Sequence, residues 1–147
     1  TVSNKFLVVN FVHTGCSISC EQVNKRMAEV QEMVKSDPDV LLLSLTVDPR
    51  TDTPPALAKF ADRFGADAER WLFLTGARKP VFDLIEGSFL RRDTNAVYQL
   101  SGGFVGVDYI ALVDKSGRVR RYFNGLKAST PKDIVETIEE FRREASL

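Results

Sequence analysis

Two apolar runs in the first third of the chain constrain the fold most strongly. They are "KFLVVNFV" at residues 5–12 and "VLLLSLTV" at residues 40–47. Short, nearly continuous apolar runs predict strands that are buried on both faces, as in the centre of an α/β sheet. Between the two strands, apolar residues recur at helical spacing and predict an amphipathic helix; these are Val23, Met27, Val30 and Val34.

The following segments continue the alternation of helices and strands. Thr53 is predicted to cap a helix that has prolines in its first turn and ends at Gly65. "WLFLTG" at residues 71–76 predicts a third strand, and "PVFDLIEG", opened by Pro80, predicts a short helix. Residues 88–104 show no clean period and contain "SGG" near their end, which predicts a surface loop or insertion.

The last part of the chain predicts a hairpin and a helix. "VDYIALVD" and "VRRYFNG" flank "KSG", which is typical of an antiparallel turn. In "STPKDIVETIEEFRREA", Thr130 is predicted as the cap and Asp133 lies near the positive end of the helix. The buried face of this helix is predicted to consist of Ile134, Val135, Ile138 and Phe141.

Taken together, the element order predicts a single domain over residues 1–147 with an α/β, thioredoxin-like fold. Its sheet is mixed, because the hairpin adds an antiparallel edge, and helices are expected to cover both faces. Twenty basic and twenty acidic residues cancel, so the charge does not indicate a nucleic acid or an anionic membrane as partner. There is no apolar run of about 18 residues that would span a bilayer. A monomer is expected.

Both cysteines and the single histidine fall within "FVHTGCSISC", residues 11–20. The first strand is predicted to end near His13, and the helix to begin between Cys16 and Glu21. The cysteines therefore lie at the carboxyl end of a central strand, where α/β sheets usually place their sites. The positive end of a helix also favours a thiolate over a thiol.

Three roles for the cysteine pair remain open at this point. A modest loosening of the first helical turn would allow a disulfide between Cys16 and Cys20. Two reduced thiols could instead hold a soft ion such as Cu(I). Alternatively, the two residues fill a strand–helix junction as small apolar side chains. The polar, loop-like "TGCSIS" favours an accessible Cys16 and therefore a chemical role.

Several segments in order resemble the Sco/SenC family, over roughly residues 5 to 145. The resemblance implies a thioredoxin fold, a role in maturation of the copper site of cytochrome c oxidase, and a location outside the cytoplasm, such as the bacterial periplasm. The partner implied is a protein with a copper site or a disulfide, such as an oxidase subunit. The segments that carry it are "FVHTGCSISC", "SLTVDPRTDTPPALAKFADRFG", "WLFLTG" and "ALVDKSGRVRRYF".

The chain departs from the family pattern at three places. Ser17 and Glu21 stand where the family usually has prolines. The family's third copper ligand, the histidine of an Asp-His pair, would fall near Gly106, where Asp108 is similar to the Asp but no histidine is nearby. The family's N-terminal hairpin and membrane anchor are not in the sequence, which begins at Thr1 and suggests a fragment whose leader or anchor is not shown.

The role of other residues near this segment is weighed in the same way. His13 is either packed as a flat aromatic substitute or recruited as a copper ligand or proton acceptor. Asp48, which lies near the metal site in the family, either orients the site or forms an Asp-Pro turn. The segment "FVGVDY" has no proline where a redox thioredoxin would place its cis-proline. That absence favours a specialised partner over broad substrate scope.

The preferred hypothesis is a thiol–disulfide oxidoreductase that acts in assembly of an oxidase copper site, with Cys16 as attacking thiol and Cys20 as resolving thiol. Copper binding accompanies this role as an option. One alternative is a Cu(I) metallochaperone that uses both cysteines plus His13 or a ligand from the partner. Another is a peroxide- or disulfide-reducing thiol protein with no copper role. The last is a family member that retains only a docking surface.

Overall fold

Five strands and three helices form the part of the chain that the structure, a computed structural model, describes: residues 4–12, 15, 18–46, 52–74 and 108–145. In chain order the elements are β1 (Phe6–Val12), α1 (Ile18–Met33), β2 (Val40–Thr46), α2 (Pro54–Arg63), β3 (Trp71–Leu74), β4 (Tyr109–Val113), β5 (Val119–Asn124) and α3 (Thr130–Ala145). Each of these elements was predicted from the sequence.

The strands form one mixed sheet in the order β3-β2-β1-β4-β5. β1 is the central strand: it runs parallel to β2, with Phe6 opposite Val40, and antiparallel to β4, with Leu7 opposite Val113. β3 extends the parallel half beside β2, and β5 extends the antiparallel half beside β4. The predicted mixed α/β sheet is therefore confirmed, and β2 is buried over its whole length.

α1 and α3 pack together on one face of this sheet. Their apolar stripes meet the side chains of Phe6 and Val8 on β1 and their neighbours on β2 and β4. α2 contributes to the same side, because Leu57 and Phe60 pack against Val12, and Val8 and Val12 point to the same face of a pleated strand. The helical residues in this core are Val23, Met27, Val30, Ile134, Ile138 and Phe141.

The opposite face of the sheet is also buried. Within the described residues its core consists of strand side chains alone, and none of α1, α2 and α3 contributes to it; they include Leu7, Val9, Leu43, Ala111 and Val119. The helix predicted from Pro80 and the loop predicted over residues 88–104 lie outside the described residues. Helical cover on this second face therefore stays a prediction.

The predicted helix ends are confirmed for α2 and corrected for α3. The Thr53 hydroxyl accepts a hydrogen bond from the Ala56 amide at 3.4 Å, and Gly65 has the positive φ of 68° that favours glycine after a helix. Thr130 was predicted as the cap of α3, but it is the first helical residue. Its hydroxyl donates to the carbonyl oxygen of Asn124 at 2.5 Å and so fastens α3 to the end of β5.

The buried stripe of α3 is confirmed for Ile134, Ile138 and Phe141, whereas Val135 is half-buried at its edge. A stripe predicted from spacing alone includes residues at its margin, whose burial depends on how the helix is rotated. Among the described residues, the structure contains no helix that is both long and apolar enough to cross a membrane.

The turn between β4 and β5 is organised by the carboxylate of Asp114. It accepts hydrogen bonds from the amide and hydroxyl of Ser116 at 2.9 and 2.6 Å, and from the Arg118 amide at 3.1 Å. The Arg120 guanidinium adds a fourth donor at 3.2 Å. Burial opposes ionisation of Asp114, but these donors outweigh it and lower the pKa of the carboxyl below its usual 3.8.

Replacing Asp114 with Asn should destabilise the protein by about 1 kcal/mol at neutral pH, because the charge-assisted hydrogen bonds of the turn are lost. A carboxyl whose pKa is lowered by folding contributes stability above its unfolded pKa, and the contribution is lost as pH falls through the lower folded value. The difference between the two proteins should therefore shrink below pH 3.8. Urea unfolding at a series of pH values measures it, and a difference that grows on acidification would contradict the assignment.

Candidate redox site

Cys20 lies in the first turn of α1, at the carboxyl end of the central strand. That turn directs Ile18 to solvent, with 77% of its surface exposed, and Cys20 inward, with 1% exposed. Cys20 packs with Val12 of β1 and with Leu57 and Phe60 of α2. Its sulfur is part of a disulfide bond. The site therefore contains a buried sulfur at the positive end of a helix.

The other predicted site residues are His13, Cys16, Asp48 and Asp108. His13, Cys16 and Asp48 lie outside the described residues, so their roles as ligands, nucleophile or supporting carboxylate stay predictions. Cys16 is the one other cysteine in the sequence. Within the described residues there is no group of three or more histidine, cysteine, aspartate or glutamate side chains that could hold a metal ion.

Asp108, the fourth predicted position, lies at the same end of the sheet as Cys20. The pairing of Asn10 with Ile110 puts the residue before β4 beside the end of β1. The Asp108 carbonyl oxygen accepts a hydrogen bond from the Gly125 amide at 2.8 Å. Its side-chain oxygen Oδ1 is buried and has no hydrogen-bond partner among the residues that the structure describes. Asp108 thus shares this end of the sheet with Cys20, and a supporting role for its carboxylate stays a prediction.

Gly125 allows this end of the sheet to approach α1 closely. A Cβ atom at this position would lie 2.8 Å from both methyl groups of Val23 and 3.0 Å from the Asp108 carbonyl oxygen. Real side chains do not tolerate such contacts, so the absence of a side chain lets the end of β5 reach the helix. The contact helps to fix α1 one turn after Cys20.

A chain of buried hydrogen bonds connects Cys20 to Trp71 on the edge strand β3. The indole N–H of Trp71 donates to the Ser44 hydroxyl at 2.8 Å, and that hydroxyl donates to the Asn10 side-chain oxygen at 2.5 Å. The Asn10 amide then donates to the Asn24 side-chain oxygen at 2.9 Å. Finally, the Asn24 amide donates to the Cys20 carbonyl oxygen at 2.9 Å and lies 3.6 Å from the Cys20 sulfur.

This polar chain was not predicted from the sequence, although the sequence contains a signal for it. Asn10 and Ser44 interrupt the two apolar runs that predict central strands. In the sheet these two residues are direct partners across β1 and β2, and neither is exposed. A polar residue within a doubly buried strand must find a partner inside the protein, because an unpaired polar group there is costly. Trp71, which donates to Ser44, is buried in the core as well.

A second buried polar contact lies where β2 ends. The hydroxyl of Thr46 donates to the carboxylate of Asp52 at 2.5 Å, and Asp52 has no exposed surface. Thr46 is paired with Val12, the last residue of β1, so the contact is close to the cysteine segment. It joins the last residue of β2 to Asp52, two residues before the start of α2.

Thr46→Val should destabilise the protein by about 1–3 kcal/mol, because it leaves a buried carboxylate without one of its donors. Thr46→Ser is the matched control: it keeps the hydroxyl and removes one methyl group, which costs about 1 kcal/mol. Urea unfolding of the two variants separates the contributions. A loss for Thr46→Ser as large as that for Thr46→Val would show that packing, and not the hydrogen bond, dominates at this position.

The chemistry available to the described part of the site is that of sulfur. A disulfide at the positive end of a helix can be reduced by thiol exchange, and the sulfur released is stabilised there as a thiolate. The same sulfur can bind a soft cation only when it is reduced, because a disulfide sulfur carries no thiolate charge. The disulfide-bonded state and the metal-bound state of Cys20 therefore exclude each other.

Comparison with known proteins agrees with this geometry. The family model SCO1/SenC matches residues 1–143. A SCO1 protein homolog of Bacillus subtilis is 26% identical over 136 residues, which are 90% of this chain and 68% of the relative. The structure of BsSco, described as a member of the Sco family of cytochrome c oxidase assembly proteins with a disulfide switch, has a TM-score of 0.71 at 25% identity and covers 95% of this chain and 81% of its own.

Yeast Sco1 with copper bound has the same fold, with a TM-score of 0.67 at 19% identity, over 94% of this chain and 80% of its own. Since the family model covers nearly the whole sequence, the chain belongs to the SCO1/SenC family.

Proposed function

We propose that this member of the SCO1/SenC family is a thiol–disulfide oxidoreductase that uses Cys16 and Cys20 in assembly of the copper site of a respiratory oxidase. The observation that supports it most directly is the disulfide-bonded sulfur of Cys20 at the positive end of α1. The partner would be an oxidase subunit whose copper-binding cysteines must be reduced before they can accept the metal. By family resemblance, this exchange takes place outside the cytoplasm.

The burial of Cys20 sets the order of the exchange. A partner sulfur cannot reach a side chain that is 1% exposed, so the intermolecular step falls to Cys16. The Cys16 thiolate attacks a partner disulfide, forms a mixed disulfide and releases one partner thiolate. The Cys20 thiolate then attacks the Cys16 sulfur and releases the second. Two electrons pass to the partner, which takes up two protons, and an external dithiol protein returns the pair to its reduced form.

Copper enters this proposal as cargo of the reduced pair. A reduced Cys16 and Cys20 provide two soft ligands for Cu(I), but the sequence has no histidine near Gly106 to act as a third. The alternative in which the chain is a Cu(I) carrier needs a further ligand from His13 or from the partner. Two ligands hold the ion less securely than three, which suits transient binding better than storage.

The order of attack predicts unequal reactivity of the two thiols. In the reduced protein, Cys20→Ser leaves only Cys16, and Cys16→Ser leaves only Cys20. We expect the thiol of Cys20 to react with iodoacetamide at no more than about a tenth of the rate of the Cys16 thiol, since Cys20 is buried. Timed alkylation followed by mass spectrometry measures both rates. Equal rates would contradict the order of attack, and two inert thiols would reject thiol exchange and copper binding together.

Copper binding separates the proposal from the carrier alternative. We expect the fully reduced protein to lose most of its Cu(I) to a competing chelator of known affinity, because it offers only two thiolates. Cys16→Ser should abolish the remaining binding, whereas His13→Ala should leave it unchanged. Tight one-to-one binding that is lost in both variants would instead identify His13 as the third ligand and favour the carrier.

A further inference from the structure

The chain of buried hydrogen bonds ends on the redox sulfur, and its direction is fixed at both ends. The indole nitrogen of Trp71 can only donate, so the Ser44 oxygen accepts there and its single proton is free for Asn10. At the other end, the Cys20 carbonyl oxygen can only accept, so the Asn24 atom 2.9 Å from it must be the amide nitrogen. No other assignment of the two amides satisfies both ends.

We infer that Asn24 is a positioning residue for Cys20, whose side-chain amide donates a hydrogen bond to the sulfur and stabilises its reduced form. This inference rests on the proposed thiol–disulfide function. The amide nitrogen has two protons and faces two acceptors of the same residue, the carbonyl oxygen at 2.9 Å and the sulfur at 3.6 Å. Asn24 and Cys20 are one helical turn apart, which places their side chains on the same face of α1.

The contact should affect the two redox states unequally. A donor interacts more strongly with an anionic sulfur than with the neutral sulfur of a disulfide. Cys20 is withdrawn from water, so no solvent can replace the donor when the disulfide opens. The Asn24 amide therefore lowers the free energy of the reduced pair relative to the disulfide and makes the disulfide a stronger oxidant.

The two direct partners of the Asn24 side chain, the Asn10 amide and the Cys20 carbonyl oxygen, keep the donor in place. Asn24 and Asn10 have no exposed surface, and the amide of Asn10 occupies the side-chain oxygen of Asn24. Rotation of the Asn24 amide by half a turn would set its oxygen against the Cys20 carbonyl oxygen and its nitrogen against the nitrogen of Asn10. The side-chain N–H of Asn24 is thereby directed at the sulfur before any reaction takes place. This is the arrangement expected of a preorganised site.

The test compares two variants that break the same network at different points. Asn24→Leu removes the donor to sulfur and leaves the Asn10 amide unpaired. Ser44→Ala is the matched control. It removes the partner of the Trp71 indole N–H and of the Asn10 side-chain oxygen but keeps the contact between Asn24 and Cys20. Both should lower stability, so stability alone does not decide the role. The deciding measurement is the equilibrium between each protein and a glutathione redox buffer.

For Asn24→Leu we expect the disulfide to be favoured about tenfold more than in the unchanged protein, which is a potential about 30 mV more negative for this two-electron couple. The potential of Ser44→Ala should stay at the unchanged value. An unchanged potential in Asn24→Leu, or an equal shift in both variants, would overturn the inference. An unchanged protein with no reversible disulfide at all would instead reject the proposed function.

A measurement on the unchanged protein keeps the inference testable if Asn24→Leu does not fold or if glutathione does not act on the pair. Nitrogen–proton correlation NMR spectra of the protein are recorded before and after complete reduction of the disulfide with excess phosphine. The side-chain amide signals of Asn24 should move markedly on reduction, and more than those of Asn10, which contacts no sulfur in the network. Signals of Asn24 that stay in place would overturn the inference.

Discussion

The position of β1 between β2 and β4 is the constraint on which the other elements depend. This strand is hydrogen-bonded on both edges and has side chains in the core on both faces, so nothing polar on it can turn to water. Asn10 lies in the middle of it and is fully buried. Its amide group must therefore be satisfied by neighbours. Ser44 on the adjacent strand and Asn24 on the helix above meet this requirement, and the choice of Asn24 brings the network to the redox sulfur.

The sequence predicted the fold well because its signals are local. Strand runs, helical spacing and turn residues such as Gly65 and Gly117 act within a few positions of the chain, and both glycines adopt the positive φ that their places require. The prediction of Thr130 as the cap of α3 was wrong by one residue. Its hydroxyl does not cap the helix but donates to the carbonyl oxygen of Asn124 at the end of β5. Sequence spacing around a helix start does not reveal such a competing partner.

The candidate site could be predicted only in part, because several of its contacts join residues that are far apart in the sequence. The spacing of Cys16 and Cys20 and their place after the first strand indicated sulfur chemistry from the sequence alone. The burial of Cys20 and its contact with Asn24 depend on four further elements, namely β1, β2, α2 and β3. Asn10 and Ser44 are polar interruptions of apolar runs in the sequence, but only the strand register shows that they face each other.

One of the two positions where the family usually has proline is occupied by Glu21, which makes a contact between helices in this structure. Glu21, beside Cys20, forms an ion pair with Arg63 of α2, whose guanidinium lies over the rings of Phe60 and Phe64. An exposed pair of this kind adds little to stability. It does, however, offset a negative charge next to the sulfur that would otherwise disfavour a thiolate. The pair also links the start of α1 to α2, the helix that buries Cys20.

A chain with no histidine near Gly106 has to stabilise the reduced state of Cys20 by other means. The helix end provides a partial positive charge, Arg63 offsets the charge of Glu21, and Asn24 provides a directed proton. None of these groups needs a metal, and each acts on sulfur in its anionic form. A chain without a histidine near Gly106 can therefore keep a reactive cysteine pair, because electron exchange depends on how well the protein stabilises a thiolate and not on how many ligands surround an ion.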